Sequence, residues 1–232
     1  MAGFRPGIAM TLLVVLFLPI LIGLGNWQLE RGALKRELES AYLEQITRLP
    51  VRPSPAVLEQ PFTTIRLSGR LLERRFLVDN QTHRGQIGYW VFQEFLDDES
   101  GTFLVNRGFV GASQFRDELP KADYPQEQLR LTATVWPQLG LTPLLAADPW
   151  AEGWPKRVQR ADIVQMAAEI AAYPAELRLA VGQPGVEVAA PFAEQLSDSK
   201  HRGYALTWFG LAITLAIGYL VFGLKNAKLE IR

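Results

Sequence analysis

Residues 203–224 read Gly203-Tyr-Ala-Leu-Thr-Trp-Phe-Gly-Leu-Ala-Ile-Thr-Leu-Ala-Ile-Gly-Tyr-Leu-Val-Phe-Gly-Leu224, with no charged side chain among them. This run exceeds the roughly 20 residues with which an α-helix crosses about 30 Å of hydrocarbon. A helix also satisfies all of its backbone hydrogen bonds internally, which a lipid bilayer requires. The stretch therefore predicts a transmembrane helix near the carboxyl end of the chain.

A second uncharged run lies near the amino terminus, from Pro6 to Leu29. A cleaved signal peptide is the alternative here, because Arg5 supplies a positive start and residues 23–25 form a small-x-small triplet. However, the apolar run is longer than a typical signal core, and it leads directly into Trp27, a residue type enriched at membrane interfaces. These features favour a second transmembrane helix.

Two spans place both ends of the chain on the same side of a membrane. The predicted division is a terminus at 1–6, a span at 7–27, a domain at 28–202, a span at 203–224 and a second terminus at 225–232. Charge alone leaves this orientation open, because basic residues flank both sides of the spans. They are Arg5, Lys225, Lys228 and Arg232 at the ends, and Arg31, Lys35, Arg36, Lys200 and Arg202 next to the domain.

The composition of the whole chain is that of an ordinary globular protein, with 48% hydrophobic residues and 24 Lys+Arg against 24 Asp+Glu in 232 residues. The chain has no cysteine. A disulfide framework, a thiolate metal site and a thiol redox motif are therefore excluded. No nucleic-acid partner is predicted.

The region between the spans predicts an α+β domain. Trp27 to about Leu49 continues the first helix, and prolines between Pro50 and Pro61 predict an extended linker. Strands before a helix favour an antiparallel sheet, with a long loop at 137–155. Period-two alternation predicts strands at 62–69, 75–80, 88–96, 102–110, 129–136, 177–181 and 186–189, and helical periodicity predicts a helix at 162–172.

Signatures of catalysis are absent from the chain. We find no nucleophile elbow, no H-E-x-x-H motif, no P-loop and no G-x-G-x-x-G. The two histidines are His83 and His201. His83 lies in a predicted turn, where a solvated loop residue is the ordinary interpretation. A membrane-tethered hydrolase would have to use His83 with a carboxylate such as Asp79, and no nucleophile can be placed beside them.

His201 lies at the mouth of the second span, where it shares a helical face with Tyr204, Ala205 and Trp208. An interfacial belt of amphipathic side chains is the ordinary explanation. The functional hypothesis is an axial haem ligand, because imidazole binds haem iron and aromatic rings suit a flat macrocycle. Without a C-x-x-C-H motif, the haem would be held non-covalently.

Cations for the haem propionates are predicted on the first helix. Trp27, Arg31 and Lys35 follow one another at intervals of four residues, just outside the first span.

Two further motifs are interpreted structurally. Asn106-Arg107-Gly108 is interpreted as a strand end with a glycine bulge, and Gly210 with Gly218 as points of close helix packing.

Four blocks of sequence resemble the Surfeit locus protein 1 family. Gly25-Asn-Trp-Gln-Leu-Glu-Arg-Gly-Ala-Leu-Lys35 resembles its opening signature, G-x-W-Q-x-x-R-x-x-x-K. The segments at 78–82 and 88–91 resemble its central strands, and Val105-Asn-Arg-Gly-Phe-Val110 resembles its V-N-R-G-[WF]-V block. His201-Arg-Gly-Tyr-Ala-Leu-Thr-Trp-Phe-Gly-Leu-Ala212 resembles its closing H-x-x-Y-A-x-x-W-F-x-L-A motif. The blocks stand in the family's order, although no motif matches between 112 and 191.

The resemblance implies an assembly factor for haem-copper terminal oxidases such as cytochrome c oxidase, with no catalysed reaction. It implies a multi-pass protein of the bacterial inner membrane whose central domain, at 28–202, is periplasmic and whose termini, at 1–6 and 225–232, are cytoplasmic. The implied partners are haem a synthase, oxidase subunit I and membrane lipid, and the implied ligand of haem a iron is His201. The alternative is a cofactor-free scaffold that holds nascent oxidase subunits and tolerates the loss of His201.

Overall fold

The computed structural model describes residues 3–115, 118–141, 143–144, 148–186, 188 and 196–229. The chain divides into a helical unit, Met1–Ser40 with Phe192–Arg232, and a β-domain, Ala41–Pro191. The elements are α1 (Ile8–Ile46), α2 (Pro55–Leu58), β1 (Thr64–His83), β2 (Gln86–Asp97), β3 (Gly101–Gly111), β4 (Leu129–Trp136), β5 (Lys156–Val158), α3 (Ile163–Ile170), β6 (Tyr173–Leu179) and α4 (Ser199–Leu229).

The helical unit pairs α1 with α4, and both helices are long and apolar enough to cross a membrane. The two run antiparallel, because the start of α1 lies against the end of α4. The ring of Phe4 lies edge-on to that of Tyr219, with centroids 5.2 Å apart, and the Thr11 hydroxyl is 3.1 Å from the Tyr219 hydroxyl. The α+β class with an apolar helix at each end is thus confirmed.

Close approach of the two helices occurs at other glycines than those expected. A Cβ added at Gly210 or Gly218 would meet no atom within 4 Å in the described part of the chain, so the packing interpretation was wrong. A Cβ at Gly25 would instead lie 2.6 Å from the ring of Phe209. Glycine at position 25 therefore makes room for a large ring on α4.

The β-domain is a sheet that closes on itself. The strands are paired in the order β1-β2-β3-β6-β4, and β4 pairs with β1 again. Closure depends on β1, whose residues from Thr64 to Gly69 pair with β4 and whose residues from Gly69 to His83 pair with β2. Most pairs are antiparallel, and β3–β6 and β1–β5 are parallel.

The two faces of this sheet carry separate apolar clusters. One cluster takes side chains from all five strands of the ring, such as Leu67, Phe95 and Val105, and fills the enclosed face. Leu104 points the other way, because successive residues of a strand face opposite sides. The second cluster therefore lies on the outer face, where Met166 of α3 covers it.

Several predicted bounds differ from the observed ones. The segments at 62–69 and 75–80 are one strand, because β1 continues through a register shift between Leu71 and Arg75. Part of the proline-rich linker is the one-turn helix α2, where Pro55 occupies the first turn, a position that needs no amide hydrogen. The predicted strand at 186–189 includes 187 and 189, which lie outside the described residues, and Val188 forms a single bridge with Phe109.

Candidate functional site

The hydrogen bond of His201 joins α4 to α1. Its Nδ1 lies 2.8 Å from Oε1 of Gln28, and both side chains are half-buried. Nε2 of the ring forms no hydrogen bond with any residue that the structure describes. One ring nitrogen is therefore engaged between the helices, and the other remains available to a ligand.

An ion pair and a glycine support this contact. Nη1 of Arg36, two turns beyond Gln28 on α1, donates to Oδ2 of Asp198 over 2.7 Å, just before α4 begins. Gly32 lies between these two contacts, and a Cβ there would be 3.5 Å from Cβ of His201. The start of α4 thus lies within van der Waals distance of a Cβ built at position 32 of α1, and small residues are typical of such close approaches between helices.

The other predicted site residues are placed as follows. Arg31 is exposed, and its guanidinium carbon lies 5.8 Å from the centroid of the Trp27 ring. Lys35 is half-buried on α1, Tyr204 is 59% exposed, and Trp208 is half-buried. His201 is thus joined to α1 by its hydrogen bond with Gln28, whereas Arg31 makes a cation–π contact with Trp27 on the surface of α1.

An apolar groove of about 500 Å³ lies beside the closing motif. Arg202 is the charged residue of its lining, and none of the five predicted residues takes part. The lining consists of Leu29, Ser199, Arg202, Gly203, Ala205, Leu206 and Phe209. The groove therefore opens on a flank of the helix pair other than that of Tyr204, because Arg202 and Leu206 each lie two positions, or about 200° of helix rotation, from Tyr204.

Gln28, Arg36 and Asp198 were missed by the sequence analysis. Gln28 and Arg36 stand with Gly25 and Gly32 at intervals of three or four residues, a spacing that places all four on one helical face. Small residues on such a face are typical of contact between membrane helices. This pattern could have identified the α4-facing side of α1, although it does not identify the residues opposite.

His83 and Asp79 do not form a catalytic pair. The ring of His83 lies 5.5 Å from that of Phe109, and its buried Nε2 has no hydrogen-bond partner among the described residues. Oδ1 of Asp79 accepts instead from the backbone amide of Asn80, over 2.7 Å. The geometry gives no support to a hydrolase built on these two side chains.

Arg107 is fully buried and connects β3 to two loops. Its Nε donates to the carbonyl of Gly185 over 2.6 Å, and its two terminal nitrogens donate to Oε1 of Gln93 and to the carbonyls of Ala122 and Asp123. The residue lies inside β3 rather than at a strand end, and the following Gly108 has a φ of 98°. The role of Arg107 is therefore structural, as interpreted.

A second buried charge holds α3 against the sheet. Glu94 of β2 is 3% exposed, and its carboxylate accepts from Nε of Arg74 over 2.7 Å. This hydrogen bond to the carboxylate raises the pKa of Arg74. Arg74 also donates to the carbonyl of Ile170, at the end of α3, over 3.3 Å. The pair is thus part of the packing of the β-domain.

These observations define a class: a protein with two candidate membrane spans, a closed β-domain in the sequence between them, and a histidine held at the start of the second span. The chain belongs to the SURF1 family, whose family model matches residues 15–213. This confirms the resemblance to the Surfeit locus protein 1 family. The family is generally linked to cytochrome oxidase assembly and is not a known class of enzyme.

A relative from Drosophila melanogaster, named "SURF1-like protein", is 27% identical to this chain over 215 residues. The match covers 82% of this chain and 69% of the relative. Both the opening and the closing motif fall within the residues matched by the family model. The match of the family model thus covers the β-domain and part of each candidate span.

Proposed function

We propose that this protein assists cytochrome oxidase assembly by binding haem a through His201. The proposal rests on the hydrogen bonding of the His201 imidazole. Its Nδ1 is hydrogen-bonded to Gln28, whereas its Nε2 has no hydrogen-bond partner among the described residues. Histidines that bind metals usually have one nitrogen held in this way by a neighbouring group. When bound, haem a would supply an iron for Nε2, and the chain's own residues would orient the ring.

The residues proposed to line the site with His201 would suit a flat, apolar group with an acidic edge. Trp208 and Tyr204 follow on α4 and offer aromatic surface, and Arg31 and Lys35 are cations on α1 for the propionates. The exposed Tyr204 ring is accessible from the bilayer interface, where such side chains are favoured. The proposed route runs from haem a synthase to this site and from there to oxidase subunit I.

The proposed location is the bacterial inner membrane, with the β-domain on the periplasmic side and both termini in the cytoplasm. Two candidate spans and the family membership support a membrane location. Basic residues at the ends of the chain agree with cytoplasmic termini. In this location, membrane lipid would contact the apolar surfaces of α1 and α4.

A scaffold without cofactor is the second candidate. It is favoured by the apolar groove, since that surface is lined by none of the five predicted haem-site residues. In this case α1 and α4 would hold nascent oxidase subunits in the membrane. Substituting His201 would then leave oxidase assembly unchanged.

The test is the visible spectrum of the protein purified in detergent from cells that make haem a. We expect haem a bands in the parent protein, their loss in His201→Ala, and their retention in His83→Ala. His83→Ala is the matched control, because the chain has two histidines and this one lies in the β-domain. Equal bands in His201→Ala would contradict the assigned ligand, and no bands in any variant would favour the scaffold.

A further inference from the structure

The contact between Gln28 and His201 takes its direction from the Gln28 atom that faces the imidazole, the carboxamide oxygen. A carboxamide oxygen accepts hydrogen bonds and cannot donate them. Because Oε1 of Gln28 faces Nδ1 of His201 at 2.8 Å, the hydrogen between them belongs to Nδ1. In a neutral imidazole one nitrogen carries hydrogen and the other carries the lone pair. Nε2 is then the lone-pair nitrogen of His201.

Neighbouring contacts hold the ring in this position. Gly32 places the α1 backbone beside Cβ of His201, and the ion pair between Arg36 and Asp198 fixes the chain just before α4. The amide nitrogen of Arg202 donates to the carbonyl of Asp198 over 3.0 Å, which begins the helix around His201. Rotation of the imidazole would break its hydrogen bond while the backbone stayed in place.

We propose that Gln28 is a positioning residue, which accepts the Nδ1 hydrogen of His201 and so presents Nε2 as the metal-binding nitrogen. This inference rests on the proposed function for its biological meaning, because haem iron would be the metal. Gln28 itself touches no iron in this scheme. Its effect is to select one tautomer and one ring orientation before the ligand arrives.

The tautomer can be measured in the full-length protein without haem. We would record long-range ¹H–¹⁵N correlation spectra of ¹⁵N-histidine-labelled protein in detergent at about pH 8.5, where neutral imidazole can be observed. Two histidines give two sets of signals, which His83→Asn assigns. We expect the Nε2 of His201 to show the shift of a lone-pair nitrogen and Nδ1 that of an N–H nitrogen.

Three variants at and near position 28 test the cause. Gln28→Leu removes the acceptor, and we expect both tautomers of His201 to be populated. Gln28→Glu keeps an oxygen acceptor, and we expect the original tautomer to be retained. Asn26→Leu is the matched control, because it also replaces an amide with leucine, two positions away on an exposed part of α1. Unchanged His83 signals in each variant would show that the β-domain remains folded.

Haem titration of the same variants gives a second readout. We expect Gln28→Leu to weaken haem a binding roughly 10- to 100-fold, the range seen when the hydrogen-bond partner of a metal-binding histidine is lost. Gln28→Glu and Asn26→Leu should bind like the parent. An N–H at Nε2 in the parent, or one unchanged tautomer in Gln28→Leu, would overturn the inference. The expected tautomers without haem uptake by the parent would instead refute the proposed function and leave the role of Gln28 in selecting the tautomer intact.

Discussion

Arg107→Met is expected to destabilise the β-domain by about 3 kcal/mol or more. The substitution leaves Oε1 of Gln93 and the carbonyl of Ala122, both in fully buried residues, without their donor. Each buried acceptor left unsatisfied costs about 1–3 kcal/mol. The carbonyls of Asp123 and Gly185 lose their donor as well, so both loops are released from the sheet.

Thermal unfolding of the full-length protein, followed by near-ultraviolet circular dichroism, measures this effect. A loss of about 3 kcal/mol lowers Tm by roughly 6–12 °C in a protein of this size. Arg130→Met is the matched control, because Arg130 is an exposed arginine on β4, and we expect a change within about 0.5 kcal/mol. Equal Tm values for the two variants would show that Arg107 does not stabilise the fold.

Gly69→Ala is expected to disrupt closure of the sheet. Gly69 is the position at which β1 pairs on both sides, with Asp97 of β2 and Leu129 of β4. A Cβ there would lie 1.9 Å from the carbonyl oxygen of Leu96 and 2.9 Å from Cα of Asp97. Since both are backbone atoms, the strands must separate, and we expect a cost of about 3 kcal/mol, the upper end for overpacking.

Gly111→Ala is the control that separates the backbone clash at Gly69 from the general effect of replacing a glycine with alanine in a strand. Gly111 is also in a strand, but a Cβ there would lie 2.6 Å from Nε2 of Gln86, the end of a flexible side chain. That side chain can move, so we expect a change of less than about 1 kcal/mol. Chemical denaturation of both variants in detergent compares them, and a Gly69→Ala midpoint equal to that of Gly111→Ala would exclude the proposed clash.

The fold was largely predictable where the pattern is local. Apolar runs predicted α1 and α4, and period-two alternation predicted most strands, because both signals depend on neighbours within a few residues. The parallel pairing of β3 with β6 was not predictable in this way. It joins Val105 to Leu177, and no local pattern of either strand specifies so distant a partner.

The candidate site was predictable only in part, for a related reason. His201 was selected as a chemically suitable side chain at the start of a span, whereas Gln28 was not selected at all. The two are 173 positions apart, and their contact depends on the rotation of α1 against α4. The choice of Arg31 rested on spacing along one helix, which sets its neighbours on α1 but not the side that faces α4.

The two apolar helices, the α+β domain and the family follow from the amino-acid sequence, since these depend on composition and on the order of motifs along the chain. Closure of the sheet by β1 at Gly69, the burial of Arg107 and the contact of His201 with Gln28 became visible only in the folded chain. Periodicity specifies which face of an element is apolar, whereas the partner of a polar side chain is set by packing between elements that are distant in the sequence.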